Sequence, residues 1–160
     1  MSKKQEGLKN VKKTIEKVYH NNLKIVQDQY TKNNKVTYLD QLDKIGRKLF
    51  GTKFYGVYPS DKIPKLNMVK RYCILNLDKS TESGSHWVAL ALLKDGKTIF
   101  YDSFGRCHTK IIPSLNLSGN GRIINSEKDK EQKIREQNCG QRCLAFLMTL
   151  DKYDSLARFV

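Results

Sequence analysis

The sequence predicts an α+β fold: a mixed, mostly antiparallel sheet flanked by helices, with one strongly apolar helix packed against the sheet. Three observations predict it. Apolar residues recur at helical spacing at Leu8, Val11, Ile15 and Val18, and again at Leu39, Leu42, Ile45 and Leu49. Apolar runs at 72–77, 88–93 and 98–101 have the length of strands and are bounded by turn-forming residues. Asn138, a natural N-cap residue, opens a run at 139–150 that is apolar enough for a buried helix.

Along the chain, residues 1–36 carry nine lysines against Glu6, Glu16 and Asp28, and Leu23, Val26 and Tyr30 continue the apolar stripe after His20-Asn21-Asn22. One bent helix or two short ones should lie on the body of the protein with a solvated lysine face. Thr37-Tyr38-Leu39-Asp40 resembles a capping box, and the helix it opens should stop at Gly51. The segment Phe54-Tyr55-Gly56-Val57-Tyr58 is short and aromatic and closed by Pro59, and beside the loop at 60–65 it should either pack into the body or line a peptide groove. Cys73, inside the run 72–77, reads as a buried apolar filler. A polar loop at 78–85 delivers the chain to His86. The run 88–93 is continuously apolar, as in a strand covered on both faces. Lys94-Asp95-Gly96-Lys97 supplies the Asp-Gly of a tight hairpin turn, and 98–101 returns antiparallel. Pro113 interrupts a short helix at 111–117, Gly119-Asn120-Gly121 turns, 122–125 forms a short strand, and 126–136 is a highly charged loop. Residues 152–160 add a last helical turn or two. No repeat or linker divides the chain, so 1–160 should be one domain, a basic helical arm (1–36) on a core (37–160).

The net charge is +14 and the sequence pI about 9.7. Such a field attracts polyanions, nucleic acid above all. No aromatic-basic recognition motif appears, so the expected contact is with DNA irrespective of its sequence. No stretch approaches the length of a membrane span, and Met1-Ser2-Lys3-Lys4-Gln5-Glu6 lacks the apolar segment of a secretory signal. A reducing, intracellular location is expected, without membrane association, in which Cys73, Cys107, Cys139 and Cys143 remain thiols. Cys139 and Cys143 share a helix face, but no second pair at ligand spacing accompanies them, so neither a metal site nor another cofactor is expected.

A cysteine at a helix start feels the positive end of the helix dipole and nearby unpaired N–H groups, which favour the nucleophilic thiolate. His86 heads one strand of the hairpin and Asp102 ends the other, so the turn brings both to one end of the sheet. There His86 would take the thiol proton from Cys139 and later protonate a leaving amine, while Asp102 would orient the imidazole. The register is less favourable. A strict two-residue turn sets Asp102 opposite Ala89 and points His86 to the other face, and a one-residue bulge or a strand ending before His86 removes that conflict. Acyl transfer also needs donors for an oxyanion. The Cys139 backbone N–H is one, and Gln132 or Gln137 offers another. His108 is a rival base, Cys143 should be held as a thiol by burial, and Cys107 should be an exposed bystander.

Gly84-Ser85-His86-Trp87, then Tyr101-Asp102-Ser103-Phe104-Gly105, then Gln132 and Cys139-Gly140 with Cys143, resemble the adenain (adenovirus protease) group. The resemblance is strongest to its relatives in virophages and Maverick-type DNA elements; the wider clan includes the SUMO-specific proteases. It spans about 37–150 and leaves 1–36 outside. It implies a papain-like site in the chain order His, acid, Gln, Cys, with the nucleophile at the N-terminus of a central helix and Gln132 as the oxyanion residue. The acid here is aspartate, as in the SUMO proteases, whereas adenain has glutamate. The implied activity is a viral cysteine endopeptidase that cleaves capsid or other virion precursor proteins, commonly next to small residues such as glycine. Adenain is similar in being basic, and it uses DNA and a peptide as activators. A monomer acting in the host cytoplasm or viral factory and in the virion is expected. Two other readings compete: an isopeptidase that removes ubiquitin-like modifiers, and a non-enzymatic DNA-packaging scaffold favoured by charge alone.

Overall fold

Among the described residues, five strands lie side by side in chain order: β1 (Phe54–Pro59), β2 (Tyr72–Asn76), β3 (Trp87–Leu92), β4 (Thr98–Tyr101) and β5 (Ile123–Asn125). The computed structural model describes residues 1–32, 38–78, 86–126 and 137–160 of the chain. β3 pairs antiparallel with β2 and with β4, whereas β1 with β2 and β4 with β5 are parallel. The sheet is mixed, but antiparallel pairings are half of it rather than the expected majority. Segments 60–71 and 102–122 are long enough to cross over and return parallel, while a short hairpin links β3 and β4.

The sheet is covered on both faces. On one side lie α1 (Lys3–Ile25), continued by a π turn at Val26–Tyr30, α2 (Leu39–Phe50) and α4 (Cys139–Tyr153). Their Ile15, Tyr19, Leu42, Leu144, Phe146 and Leu147 pack with Ala89, Ala91, Ile99 and Tyr101 of the sheet. On the other side Val88, Leu90 and Phe100 pack with Leu66, Ile112 and Leu115. Ile112 is the residue that links a single helical turn, α3 (His108–Ile111), to the 3₁₀ segment Pro113–Leu117 that holds Leu115. The alternation along β3 explains its continuous apolar run: each residue has a layer to meet, and each large side chain so buried stabilises by about 1.5–3 kcal/mol. The small Ala89 and Ala91 leave room for the bulk of α4. The Phe146 ring stacks flat on Tyr101 at 4.4 Å, fixing that helix over the hairpin.

Two details differ from expectation. The buried stripe of α1 runs through Ile15, Tyr19 and Leu23, while Leu8 is exposed and Val18 only half-buried. A tyrosine can occupy that stripe because its hydroxyl finds Tyr101 Oη at 2.7 Å. α2 starts with Tyr38 in the N-cap position and no side-chain cap bond from it, while Thr37, on which the expected capping box rests, lies outside the described residues. Its end is as expected, at Gly51 with φ 58°.

Candidate active site

The hairpin decides whether His86 and Asp102 can meet. Ala89 stands opposite Tyr101 and Leu92 opposite Thr98. Leu93 N–H donates to Lys97 O at 2.8 Å, so the connection is three residues, Lys94 to Gly96, rather than two. Gly96 takes φ 90°, as the third residue of such a loop requires. The extra residue moves the register by one: continued past the ladder, Asp102 falls opposite Val88, on the same face as His86. β3 also begins only at Trp87. Both remedies for the register conflict are therefore present.

His86 Nε2 lies 2.7 Å from Asp102 Oδ1. The same imidazole lies close enough to the thiol of Cys139, the first residue of α4, for each to shift the other's ionisation. With Nε2 committed to Asp102, Nδ1 is the ring nitrogen left to face the sulfur. The Phe104 ring stacks on the imidazole at 5.0 Å and holds its plane. His86, Asp102 and Cys139 are all buried. Three side chains distant in sequence thus meet where the hairpin ends and α4 begins.

The electrostatics follow from these contacts. Burial alone would push the Cys139 thiol up, but the bond to His86, its charge, and the backbone N–H groups of Trp87 and Gly140 outweigh it and hold the thiol below its ordinary value. Burial likewise pushes the imidazole down, and the bonds and charges of Asp102 and Cys139 more than reverse this. The Asp102 carboxyl is opposed by burial yet held at about 2 by His86 and Arg106. These directions favour a thiolate beside an imidazolium. Such a pair can attack an electrophilic carbon and hand a proton to the leaving group.

Arg106 escaped the sequence reading. The Phe104-Gly105 turn, with Gly105 at φ 70°, carries its Nε back to Asp102 Oδ2 at 2.7 Å, and its backbone N–H reaches the same oxygen at 3.1 Å. Asp102 thus meets His86 at Oδ1, where Arg106 Nη2 and the Phe104 N–H also reach at 3.5 and 3.3 Å, while the closer Arg106 contacts hold Oδ2. Asn138 holds the N-cap position but does not cap: its Oδ1 accepts from Arg142 Nε at 3.0 Å. No pattern in the chain announces that bond. His108 is not a second base at this place, since its Nδ1 meets Asn125 Oδ1 at 3.0 Å and its ring packs against Phe100. Cys143 is fully buried and burial pushes its thiol well up. Cys107 is half-buried rather than exposed, with its sulfur 3.2 Å from Thr109 Oγ1. Gln132, the candidate oxyanion residue, lies outside the described residues, and Gln137 is the exposed residue just before Asn138.

No protein-family model matches the chain, and no curated protein matches it. No helix among the described residues is long and apolar enough to cross a membrane.

Proposed function

We propose that the protein is a cysteine endopeptidase of the adenain type that matures capsid or other virion precursor proteins. The observation that carries this reading is the cluster at the start of α4, His86 bridging a buried carboxylate and a thiol whose ionised form its surroundings favour. The order of the blocks around His86, Asp102 and Cys139 supports the family, and the α+β architecture with the thiol at a helix start is compatible with it.

In the proposed reaction the Cys139 thiolate attacks the scissile carbonyl carbon and a C–S bond forms. The carbonyl oxygen becomes an oxyanion facing N–H donors at the helix start and the Gln132 amide. The His86 imidazolium gives its proton to the amine as the C–N bond breaks. Water, deprotonated by His86, then cleaves the thioester and releases the acid. Asp102 keeps the imidazole oriented throughout, and Arg106 keeps Asp102 ionised.

The test is incubation of the protein with virion precursor proteins, with and without DNA, mapping new termini by mass spectrometry. New termini next to small residues, absent with Cys139→Ala, are expected. Precursors left intact by both proteins, with DNA retained equally by both, would favour the scaffold instead. Efficient labelling of Cys139 by a ubiquitin-like probe would favour the isopeptidase.

A further inference from the structure

Phe104 and Arg106 follow Asp102 on the turn that leaves β4, and both side chains come back toward the buried histidine. The Phe104 ring lies 5.0 Å from the His86 imidazole, with 30° between their planes. The central carbon of the Arg106 guanidinium lies 5.1 Å from the centre of the same phenyl ring. Arg106 Nε donates to Asp102 Oδ2 at 2.7 Å, and His86 Nε2 lies 2.7 Å from Asp102 Oδ1. Asp102, His86, Phe104 and Arg106 therefore close a circuit in which each side chain touches two of the others. The Arg106 side chain is 41 % exposed and that of Asp102 is buried, so the circuit runs from solvent to the interior.

We propose that Arg106 is a positioning residue for His86, holding the imidazole through the Phe104 ring as well as through Asp102. That the imidazole so held serves Cys139 rests on the reaction proposed above. A planar guanidinium can fork onto a carboxylate while it lies against an aromatic ring, whereas an ammonium is a single point charge that cannot do both in one pose. Asp102 already accepts from the backbone N–H groups of Phe104 and Arg106 at 3.3 and 3.1 Å. The arginine side chain is therefore not needed merely to supply that carboxylate with a donor. What it adds is a second hold on the ring that lies against the histidine. Position and charge make opposite predictions. A cation near an imidazole disfavours the imidazolium, so loss of the Arg106 charge alone raises the titration of His86. Loss of position weakens the Asp102 bond that favours the imidazolium, and lowers it. The other titratable group facing the imidazole is Cys139 on α4, with Cys143 one helical turn further on.

The experiment is the titration of the His86 imidazole by NMR, in the full chain carrying Cys139→Ala so that the thiol's own charge is absent. Arg106→Met, Arg106→Lys and Phe104→Leu should each lower the midpoint by about half a unit to one unit. The double variant R106M/F104L should fall no further than the lower single variant, because both changes open the same circuit. A midpoint that rises or stays in R106M overturns the inference. So does R106K indistinguishable from its background, which would assign the effect to charge alone. Strictly additive shifts in the double variant also overturn it, since Arg106 and Phe104 would then act separately. If R106M does not fold, R106K, F104L and their double variant give the same reading. With Cys139 restored, R106K should slow iodoacetamide alkylation of that thiol about tenfold at neutral pH. A parent protein whose Cys139 titrates as an ordinary thiol overturns the nucleophile reading and not the hold on His86. A depressed Cys139 titration beside an unmoved His86 midpoint overturns this inference alone.

Discussion

Asp102 has no exposed side-chain surface, and burial alone would make its carboxyl a weak acid. Hydrogen bonds from His86 and Arg106 and their charges reverse that and hold it at about 2. Its folded value is depressed from an ordinary 3.8, so the stabilisation is complete above about pH 4 and is lost as pH falls toward 2. The amount is about 2 kcal/mol. Urea unfolding measured from pH 5 to pH 2 should show this acid limb in the parent protein and lose it in Asp102→Asn; equal slopes would mean that the carboxylate is not held in this way. At this scale the sequence announced some residues and hid others. Cys139, His86 and Asp102 were legible because each sits at the end of an apolar run, where the chain enters or leaves a buried element. Arg106 was not, because it reaches Asp102 through a turn four residues long whose direction the sequence does not give. Gln132 was named from the family's spacing and lies outside the described residues.

Elements were legible through periodicity, and their joints less so. The helix over 39–50, the strands β2 to β5 and the apolar helix after Asn138 fall where the patterns put them, whereas β1 forms from a segment that aromatic content alone did not mark as a strand. The hairpin register, by contrast, turns on whether Asp-Gly closes two residues or three, a choice the dipeptide does not dictate. The three-residue form with Gly96 at positive φ brings Asp102 to the face of His86. The parallel edges were missed for a related reason: apolar alternation fixes a strand's faces but carries no sign of its direction. α2 offers a test of packing against propensity. Gly46 lies on its buried side, and a Cβ there would come within 2.4 to 2.7 Å of three atoms of the Phe54 ring. Alanine gains about 1 kcal/mol in helix propensity, while overpacking a filled core costs about 1–3 kcal/mol. Gly46→Ala should therefore destabilise, read as a lower urea midpoint; a raised midpoint would show that the ring moves aside freely.

For the whole molecule, charge and the amino-terminal helix decide what the protein meets. The lysine-rich face of α1 was plain in the sequence, and Lys3, Lys4, Lys9, Lys13 and Lys17 are exposed. The helix's hold on the sheet was not, because Tyr19 is buried by a hydroxyl partner far along the chain, Tyr101. The field of a +14 protein should bind duplex DNA of any sequence, with affinity falling steeply as salt rises. Replacing Lys3, Lys4, Lys9 and Lys13 by Gln should flatten the log–log salt slope by about one for each phosphate no longer neutralised. An unchanged slope would place the DNA-binding face elsewhere. Above all of this stands the claim that distant segments converge to make Cys139 a nucleophile. The pH dependence of its alkylation, compared between the parent protein and His86→Ala, is the sharpest test of that claim. Rapid reaction well below the ~8.5 of a free thiol is expected, with the midpoint returning upward in His86→Ala. Reaction that rises only near ~8.5 in both proteins would contradict it.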